Sequence, residues 1–144
     1  MTKKKELLQA WYDCVWVKGD LDAIDRFFQS STIATGIIPE MQIGPDDFRD
    51  LVTAMLHMVG DVKVGLPVAV EDGDWLSALI TVNAVRLDNR APVNVTGQVM
   101  VRFEGDKMVE TYNQFDFMGL FEQLGQLPDN TLAICMTGQK LDWA

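Results

Sequence analysis

The sequence has very few residues of the types that hold zinc or build a disulfide framework. Its 144 residues include one histidine, His57, and two cysteines, Cys14 and Cys135. The cysteines are far apart in the chain and have apolar neighbours, so neither a zinc site nor a disulfide is indicated. We expect two buried, reduced thiols, which suit a cytoplasmic location. We also expect no metal ion and no other cofactor.

Positive charge is scarce, and long apolar runs are missing. Lysine and arginine together number 12 against 21 acidic residues, so the net charge is −9. This charge repels phosphate backbones and anionic lipid surfaces, and we therefore exclude nucleic acid and membranes as partners. No segment approaches the roughly 20 apolar residues of a membrane span. The basic first residues lack the apolar stretch that a signal peptide requires.

Apolar residues are plentiful, at 48% of the sequence, and their spacing predicts three helices. A chain of this length is expected to form a single domain, residues 1–144. Helical periodicity predicts a first helix over Lys5–Lys18, a short second one over Asp20–Phe28 and a third over Asp47–Val59. The segment Thr32–Ile38 is rich in β-branched residues, so we expect it to be extended.

After Gly60 the apolar period changes to two, which is typical of strands with one buried face. We expect four strands joined by hairpin turns, followed by a short helix over Phe117–Leu124. Helices followed by antiparallel strands predict an α+β domain in which the helices cover the apolar face of the sheet. The predicted inward residues of the first three strands are Val62, Val64, Leu66, Val68 and Val70, then Leu76, Ala78, Ile80, Val82 and Ala84, then Val93, Val95, Gly97, Val99, Val101 and Phe103.

Several segments of the sequence resemble one known family. Trp16–Ile24 (WVKGDLDAI) follows the first helix, and Gly44–Phe48 (GPDDF) forms the turn into the third. Near the end come Phe103–Glu110 (FEGDKMVE), Tyr112–Asp116 (YNQFD) and Gln123–Gly125 (QLG). In this order and spacing, the segments resemble the SnoaL-like polyketide cyclases of the nuclear transport factor 2-like superfamily.

The resemblance covers about residues 5–128 and implies a cone-shaped half-barrel. In this cystatin-like fold a curved antiparallel sheet packs on the N-terminal helices and encloses a deep pocket. The resemblance also implies a homodimer. The wider superfamily includes ketosteroid isomerase, scytalone dehydratase and limonene epoxide hydrolase, together with proteins of no known activity. The fold alone therefore does not decide the function.

Asp116 is the candidate catalytic residue. It matches the aspartate that acts as acid and base in the polyketide cyclases, and an apolar pocket favours the neutral, proton-donating form of a carboxyl group. Strand alternation supports a different interpretation, because Asn113 and Phe115 share the inward parity and Asp116 does not. Asp116 would then cap the helix that starts at Phe117. A bulge at the end of the strand would turn it inward instead, so both interpretations stay open.

Asn113 is a candidate substrate-binding residue. It matches the position of an acidic residue in limonene epoxide hydrolases, where two aspartates and an arginine activate water. Arg86 and Asp88 have the same Arg-x-Asp order, and Arg86 follows the predicted inner face. An amide is no general base, however, and Arg86 and Asp88 lie beside a hairpin turn. Their position favours a solvated ion pair.

The remaining pocket candidates predict a small apolar molecule as the ligand. Tyr12, Trp16, Phe28 and Met55 offer large and adaptable apolar surface, although each is also compatible with a place in the core. Tyr112 is a further binding candidate, which reaches the pocket only if a bulge precedes it. The apolar residues of the tail are expected to pack on the domain or on a partner subunit; they are Leu132, Ile134, Met136, Leu141 and Trp143.

Three functions are open on the sequence alone. The first is a cofactor-independent cyclase or isomerase of an apolar carbonyl compound, with Asp116 as acid and base. The second is a non-catalytic ligand-binding or dimerisation module, which the amide at Asn113 favours. The third is epoxide hydrolysis, which requires Arg86 and Asp88 to reach a water molecule near Asn113.

Overall fold

A computed structural model describes residues 2–142 of the chain. The helices are α1 (Lys3–Trp11, continued by a π-helical segment, Tyr12–Val17), α2 (Ile24–Phe27, after a 3₁₀ turn at Leu21–Ala23), α3 (Pro45–Leu56), α4 (Phe117–Gln123) and α5 (Thr131–Met136). The strands are β1 (Phe28–Thr35), β2 (Gln42–Ile43), β3 (Val59–Asp72), β4 (Trp75–Arg86), β5 (Pro92–Glu104) and β6 (Lys107–Phe115). This order of helices and strands confirms the predicted α+β class.

The six strands form one curved, unclosed sheet in the order β2-β1-β6-β5-β4-β3. Strands β3 to β6 pair antiparallel as consecutive hairpins, as predicted. Strand β1 adds to β6 in the parallel direction, and β2 pairs antiparallel with β1. The sequence predicted an extended segment here but not its partner, because the pairing joins residues that are far apart in the chain.

The core lies between the inner face of the sheet and the N-terminal helices. The predicted inward residues of β5 are all buried, and those of β4 are buried or half-buried. From the helical side, Trp11 stacks on Phe28 with 4.4 Å between ring centroids, and Phe48 meets Trp11 edge-on at 5.3 Å. These aromatic contacts join α1, β1 and α3, so the helices are fixed against the sheet that they cover.

The prediction for the second half of β3 is wrong. Val68 and Val70 are 53% and 63% exposed, although alternation placed them inside. The pairing with β4 shifts register between Gly65 and Val68, which moves the later residues by one position. Such a shift reverses the two faces of a strand, so Ala69 packs against the core instead.

Smaller corrections concern the ends of elements and the tail. Helix α3 ends at Leu56 rather than at Val59, which already pairs with β4. Cys14 is half-buried and Cys135, on α5, is exposed, so the two thiols are free but not both buried. Trp143 lies outside the described residues. Within the described part of the chain, no helix is long and apolar enough to cross a membrane.

Candidate functional site

A cavity of about 120 Å³ lies between the inner face of the sheet and the helices. Apolar side chains from α1, α3, α4 and the strands β3 to β6 form nearly all of its wall. The lining residues are Trp11, Tyr12, Trp16, Ile37, Phe48, Leu51, Met55, Val59, Val62, Val64, Val82, Ala84, Val93, Val95, Asn113, Phe115, Phe117 and Leu120. Among these described residues, none carries a full charge at neutral pH.

A second, smaller cavity of about 20 Å³ adjoins the first. Four residues line both cavities, and they therefore stand between them: Trp11, Tyr12, Phe48 and Asn113. Thr111 lines the smaller cavity and is 6% exposed. The smaller cavity has a more polar wall than the larger one, and its lining residues include Tyr12, Thr111 and Asn113.

Five of the eight predicted site residues lie on these cavities. Tyr12, Trp16, Met55 and Asn113 line the larger cavity, whereas Phe28 reaches only the smaller one. The π-helical segment that begins at Tyr12 widens the last turns of α1. Such segments are frequent at functional sites. Here the segment contains both Tyr12 and Trp16, four residues apart on one side of the helix.

Asn113 is held in one orientation by hydrogen bonds to β1 and to its own strand, β6. Its Nδ2 donates to the carbonyl oxygen of Thr35 at 3.1 Å and to Oγ1 of Thr111 at 3.0 Å. Gly36 fits against the Asn113 backbone, where a Cβ would come within 2.2 Å of the carbonyl oxygen. Both amide hydrogens are thus engaged, and the side-chain oxygen Oδ1 is the group that Asn113 can offer to another molecule.

Tyr12 is buried and has no hydrogen-bond partner among the described residues. Its side chain is 7% exposed, and burial raises the pKa of its phenol well above the usual value. A Tyr12 phenol is therefore neutral at any physiological pH. Within residues 2–142, no fully enclosed side-chain oxygen or nitrogen lacks a partner, so the Tyr12 oxygen is not fully enclosed.

Asp116 adopts the capping arrangement. Its Oδ1 accepts a hydrogen bond from the Gly119 backbone N–H at 2.9 Å, which makes it the N-cap of α4. The residue is exposed and does not line either cavity, although Phe115 and Phe117 on both sides of it do line the larger one. Strand alternation continues without a bulge to Phe115, and it therefore points Asp116 outward.

Arg86 and Tyr112 lie away from the cavity. Arg86 forms two hydrogen bonds with Asp88, at 2.9 and 2.6 Å, and this contact keeps the pKa of the Asp88 carboxyl below its usual value. Asp88 is 63% exposed at the hairpin tip, so the arrangement required for epoxide hydrolysis is not formed. Tyr112 is 45% exposed on the outer face of the sheet, where its hydroxyl donates to Glu110.

Sequence reasoning missed the part of the cavity wall that α4 contributes. Phe117 and Leu120 reach the cavity from this helix, and Ile37 does so from the loop after β1. The apolar spacing of α4 was visible in the sequence, but its place over the end of the sheet depends on long-range contacts. Gln123 supplies such contacts by exchanging two hydrogen bonds with the backbone of Asn94 on β5.

A comparison with protein families agrees with this architecture. The model of the family described as SnoaL-like polyketide cyclase matches residues 6–124. The chain belongs to this family. The matched range extends from α1 to the end of α4 and thus includes every element that lines the cavity. A comparison with curated proteins gives no match.

Solved structures share the fold of this SnoaL-like chain at low sequence identity. A candidate polyketide cyclase from Acidithiobacillus ferrooxidans is 18% identical, with a TM-score of 0.72, over 87% of this chain and 96% of its own. AclR from Streptomyces galilaeus, a candidate hydroxylase, is 19% identical, with a TM-score of 0.74, over 94% and 89%.

A third similar structure carries a small molecule. It is a hypothetical protein with a ketosteroid isomerase-like fold from Catenulispora acidiphila, solved in complex with trimethylamine. It is 17% identical, with a TM-score of 0.71, over 87% of this chain and 95% of its own. At such identities the three likenesses establish the fold alone, which is the nuclear transport factor 2-like fold implied by the sequence segments.

Proposed function

We propose that this SnoaL-like protein binds a small, mostly apolar molecule in its larger cavity. The observation that carries the proposal is the cavity wall, which is mostly apolar and whose two oxygen-bearing side chains, Tyr12 and Asn113, are neutral. Ligand sites in proteins are typically of this kind, with a few polar groups that orient a ligand held by apolar contacts. The wall offers no charge to pair with an ionic ligand.

The volume of the cavity supports a ligand of about one ring. At about 120 Å³ it is comparable to an engineered apolar cavity of about 150 Å³ that binds benzene. A tetracyclic compound would need a considerably larger space or a displacement of α4. We therefore propose a single-ring compound, or the ring of a longer molecule whose remainder extends toward solvent.

Filling the cavity tests the proposal. Ala84 is buried on β4 and lines the cavity, so Ala84→Phe would occupy the space with an aromatic side chain. We expect toluene to bind to the unmodified protein and its affinity to fall at least about tenfold in this variant, since a filled cavity gives the ligand no contacts. Isothermal titration calorimetry measures both affinities.

Ala54→Phe is the matched control for this experiment. It makes the same chemical change at an exposed position of α3 and should leave toluene binding unaltered. Circular dichroism of each variant establishes that the fold is retained. The proposal is wrong if toluene does not bind to the unmodified protein, or if it binds equally well to the Ala84→Phe variant.

Catalysis by Asp116 is a second candidate function, and family membership supports it. In this proposal the chain is a cofactor-independent cyclase or isomerase of an apolar carbonyl compound, and Asp116 moves the proton. The carboxylate lies between two residues of the cavity wall, Phe115 and Phe117, but it would have to release the Gly119 N–H and rotate. The binding proposal needs no such rearrangement, so the geometry favours it.

We also propose that two copies of the chain associate through the outer face of the sheet. Val70, Ser77, Met100 and Tyr112 lie side by side across β3 to β6 in one row of the pairing register. Val70, Met100 and Tyr112 are 63%, 50% and 45% exposed. Exposed apolar side chains grouped on one face are typical of interaction sites, and a homodimer is the partner that the family resemblance implies.

A further inference from the structure

We propose that the ligand carries a hydroxyl group, which lies between Tyr12 and Asn113 while the ring fills the larger cavity. This inference rests on the proposed function, because it concerns the same cavity. The ligand class is then a neutral one-ring phenol, enol or alcohol. The hydroxyl would accept a hydrogen bond from Tyr12 and donate one to Oδ1 of Asn113.

The first observation is the unpaired phenol of Tyr12. A hydroxyl that is removed from bulk water without a partner costs free energy, and native proteins rarely leave one in this state. Tyr12 is 7% exposed and lines both cavities, yet none of the described residues accepts or donates a hydrogen bond at its oxygen. A phenylalanine would pack equally well there, so the hydroxyl points to a partner that enters the cavity.

The second observation is the fixed orientation of Asn113. Its two amide hydrogens are taken up by Thr35 and Thr111, so the amide cannot rotate to offer a donor without losing both contacts. Its Oδ1 makes no hydrogen bond within residues 2–142 and, like the Tyr12 oxygen, is not fully enclosed. The site therefore presents an acceptor at Asn113, and a ligand group must donate to it.

The third observation is that the two residues share both cavities. Tyr12 and Asn113 line the larger cavity and also the smaller one of about 20 Å³. A cavity needs only about 10–15 Å³ to hold one water molecule, so the smaller space has room for one hydroxyl. A phenolic or enolic O–H both accepts and donates, and it can satisfy Tyr12 and Asn113 together. A ketone or an ether oxygen can satisfy only Tyr12.

Phenol and toluene are suitable probes, because they differ in little except the hydroxyl. Both affinities are measured by calorimetry for the unmodified protein and for Tyr12→Phe. We expect the ratio of phenol affinity to toluene affinity to fall about tenfold in Tyr12→Phe, since phenol loses one hydrogen bond and toluene loses none. Tyr112→Phe is the matched control, because it removes the same atom from the chain's other tyrosine on the outer face, and its ratio should stay unchanged.

A variant at Asn113 gives a second readout. Asn113→Leu should lower the phenol-to-toluene ratio as Tyr12→Phe does; if that variant does not fold, the Tyr12 comparison decides.

Each outcome bears on one of the two proposals. If toluene binds and the ratio is the same in all variants, the hydroxyl inference is overturned and the apolar site stands. A water molecule that alone satisfies Tyr12 and Asn113 would give this result. If toluene does not bind to the unmodified protein, the proposed function fails, and the hydroxyl inference fails with it.

Discussion

The polar character of the site depends on single neutral residues rather than on a charged cluster. The Tyr12 side chain is fixed by burial, and the Asn113 side chain is fixed by the two hydrogen bonds that its amide donates. Neutral groups bind a neutral ligand without the desolvation cost of a buried charge. A proton-transfer reaction would require an acid or base in the cavity, and the catalytic candidate Asp116 does not line it, because its carboxylate caps α4.

Asp116 can be tested in a way that separates its two candidate roles. Asparagine caps a helix about as well as aspartate, whereas alanine does not. We therefore expect Asp116→Ala to lower the free energy of unfolding by about 1 kcal/mol and Asp116→Asn to change it by only a few tenths. Urea denaturation measures both values. Equal losses in the two variants would contradict the capping role.

Turnover assays on the Asp116→Asn variant address the catalytic role directly. If the unmodified protein converts a carbonyl compound, a catalytic Asp116 predicts that Asp116→Asn loses this activity while it keeps full stability and toluene affinity. Activity that survives in Asp116→Asn would exclude Asp116 as the acid and base.

At the scale of elements, the fit of β5 against β6 shapes the cavity wall. Gly97 is buried on the inner face of β5, directly opposite Phe115 on β6. A Cβ at this position would come within 2.3 Å of the Phe115 ring, which itself lines the cavity. The missing side chain therefore creates the space in which the ring lies, and it keeps the ring out of the ligand volume.

Gly97→Ala is expected to displace the Phe115 ring into the cavity. Overpacking of this kind typically costs about 1–3 kcal/mol, and toluene affinity should fall as well. Phe115→Leu removes the ring and should relieve the clash. In a double-mutant cycle by urea denaturation, the combined variant should lose less stability than the sum of the single variants. Additive losses would show that the two residues do not interact.

Elements with a strong local pattern were predictable from the sequence, and elements placed by distant contacts were not. The alternation in β4 and β5 holds because both strands run without a register shift against each other, from Trp75 to Val85. In β3 the same reasoning failed at Val68 and Val70, since the spacing of apolar residues does not reveal the register shift that precedes them. The cavity candidates on α1 and α3 were predicted for the same local reason, whereas Ile37 and α4 reach the site through tertiary contacts.

The direction of Asp116 illustrates the limit for site residues. Strand alternation predicts that Asp116 points outward and caps α4, whereas the family resemblance implies that it is an acid and base in the pocket. A single bulge at the end of β6 would have turned it inward. The structure has a register shift in β6 near Val109, between the pairs of Arg102 and Phe103, and none at the end of the strand. The place of the register shift depends on how β6 pairs with β5, so the sequence of β6 alone could not reveal it.

For the whole molecule, the outer face of the sheet is the feature that the cavity does not explain. Met100 on β5 lies at the centre of the exposed row, with Tyr112 beside it. Met100→Lys should convert the proposed dimer into a monomer, because a buried lysine at the interface would lose its hydration. Sedimentation velocity distinguishes a mass of 16.1 kDa from twice that value.

Met136→Lys is the control for the dimer prediction. Met136 is 79% exposed on α5 and does not belong to the exposed row on the sheet, so the same substitution there should not change the mass. The proposal of a sheet-face dimer is wrong if the unmodified protein sediments as a monomer, or if Met100→Lys sediments as a dimer.

The register shift in β3 has a consequence for the behaviour of the protein in concentrated solution. β3 is the last strand of the sheet, so one of its edges has no strand beside it, and another chain could extend the sheet there into a growing fibril. Pro67 lies within the shifted segment and has no N–H to donate, and the local distortion twists the strand. The same irregularity that exposes Val68 and Val70 therefore interrupts this edge as a template for edge-to-edge aggregation.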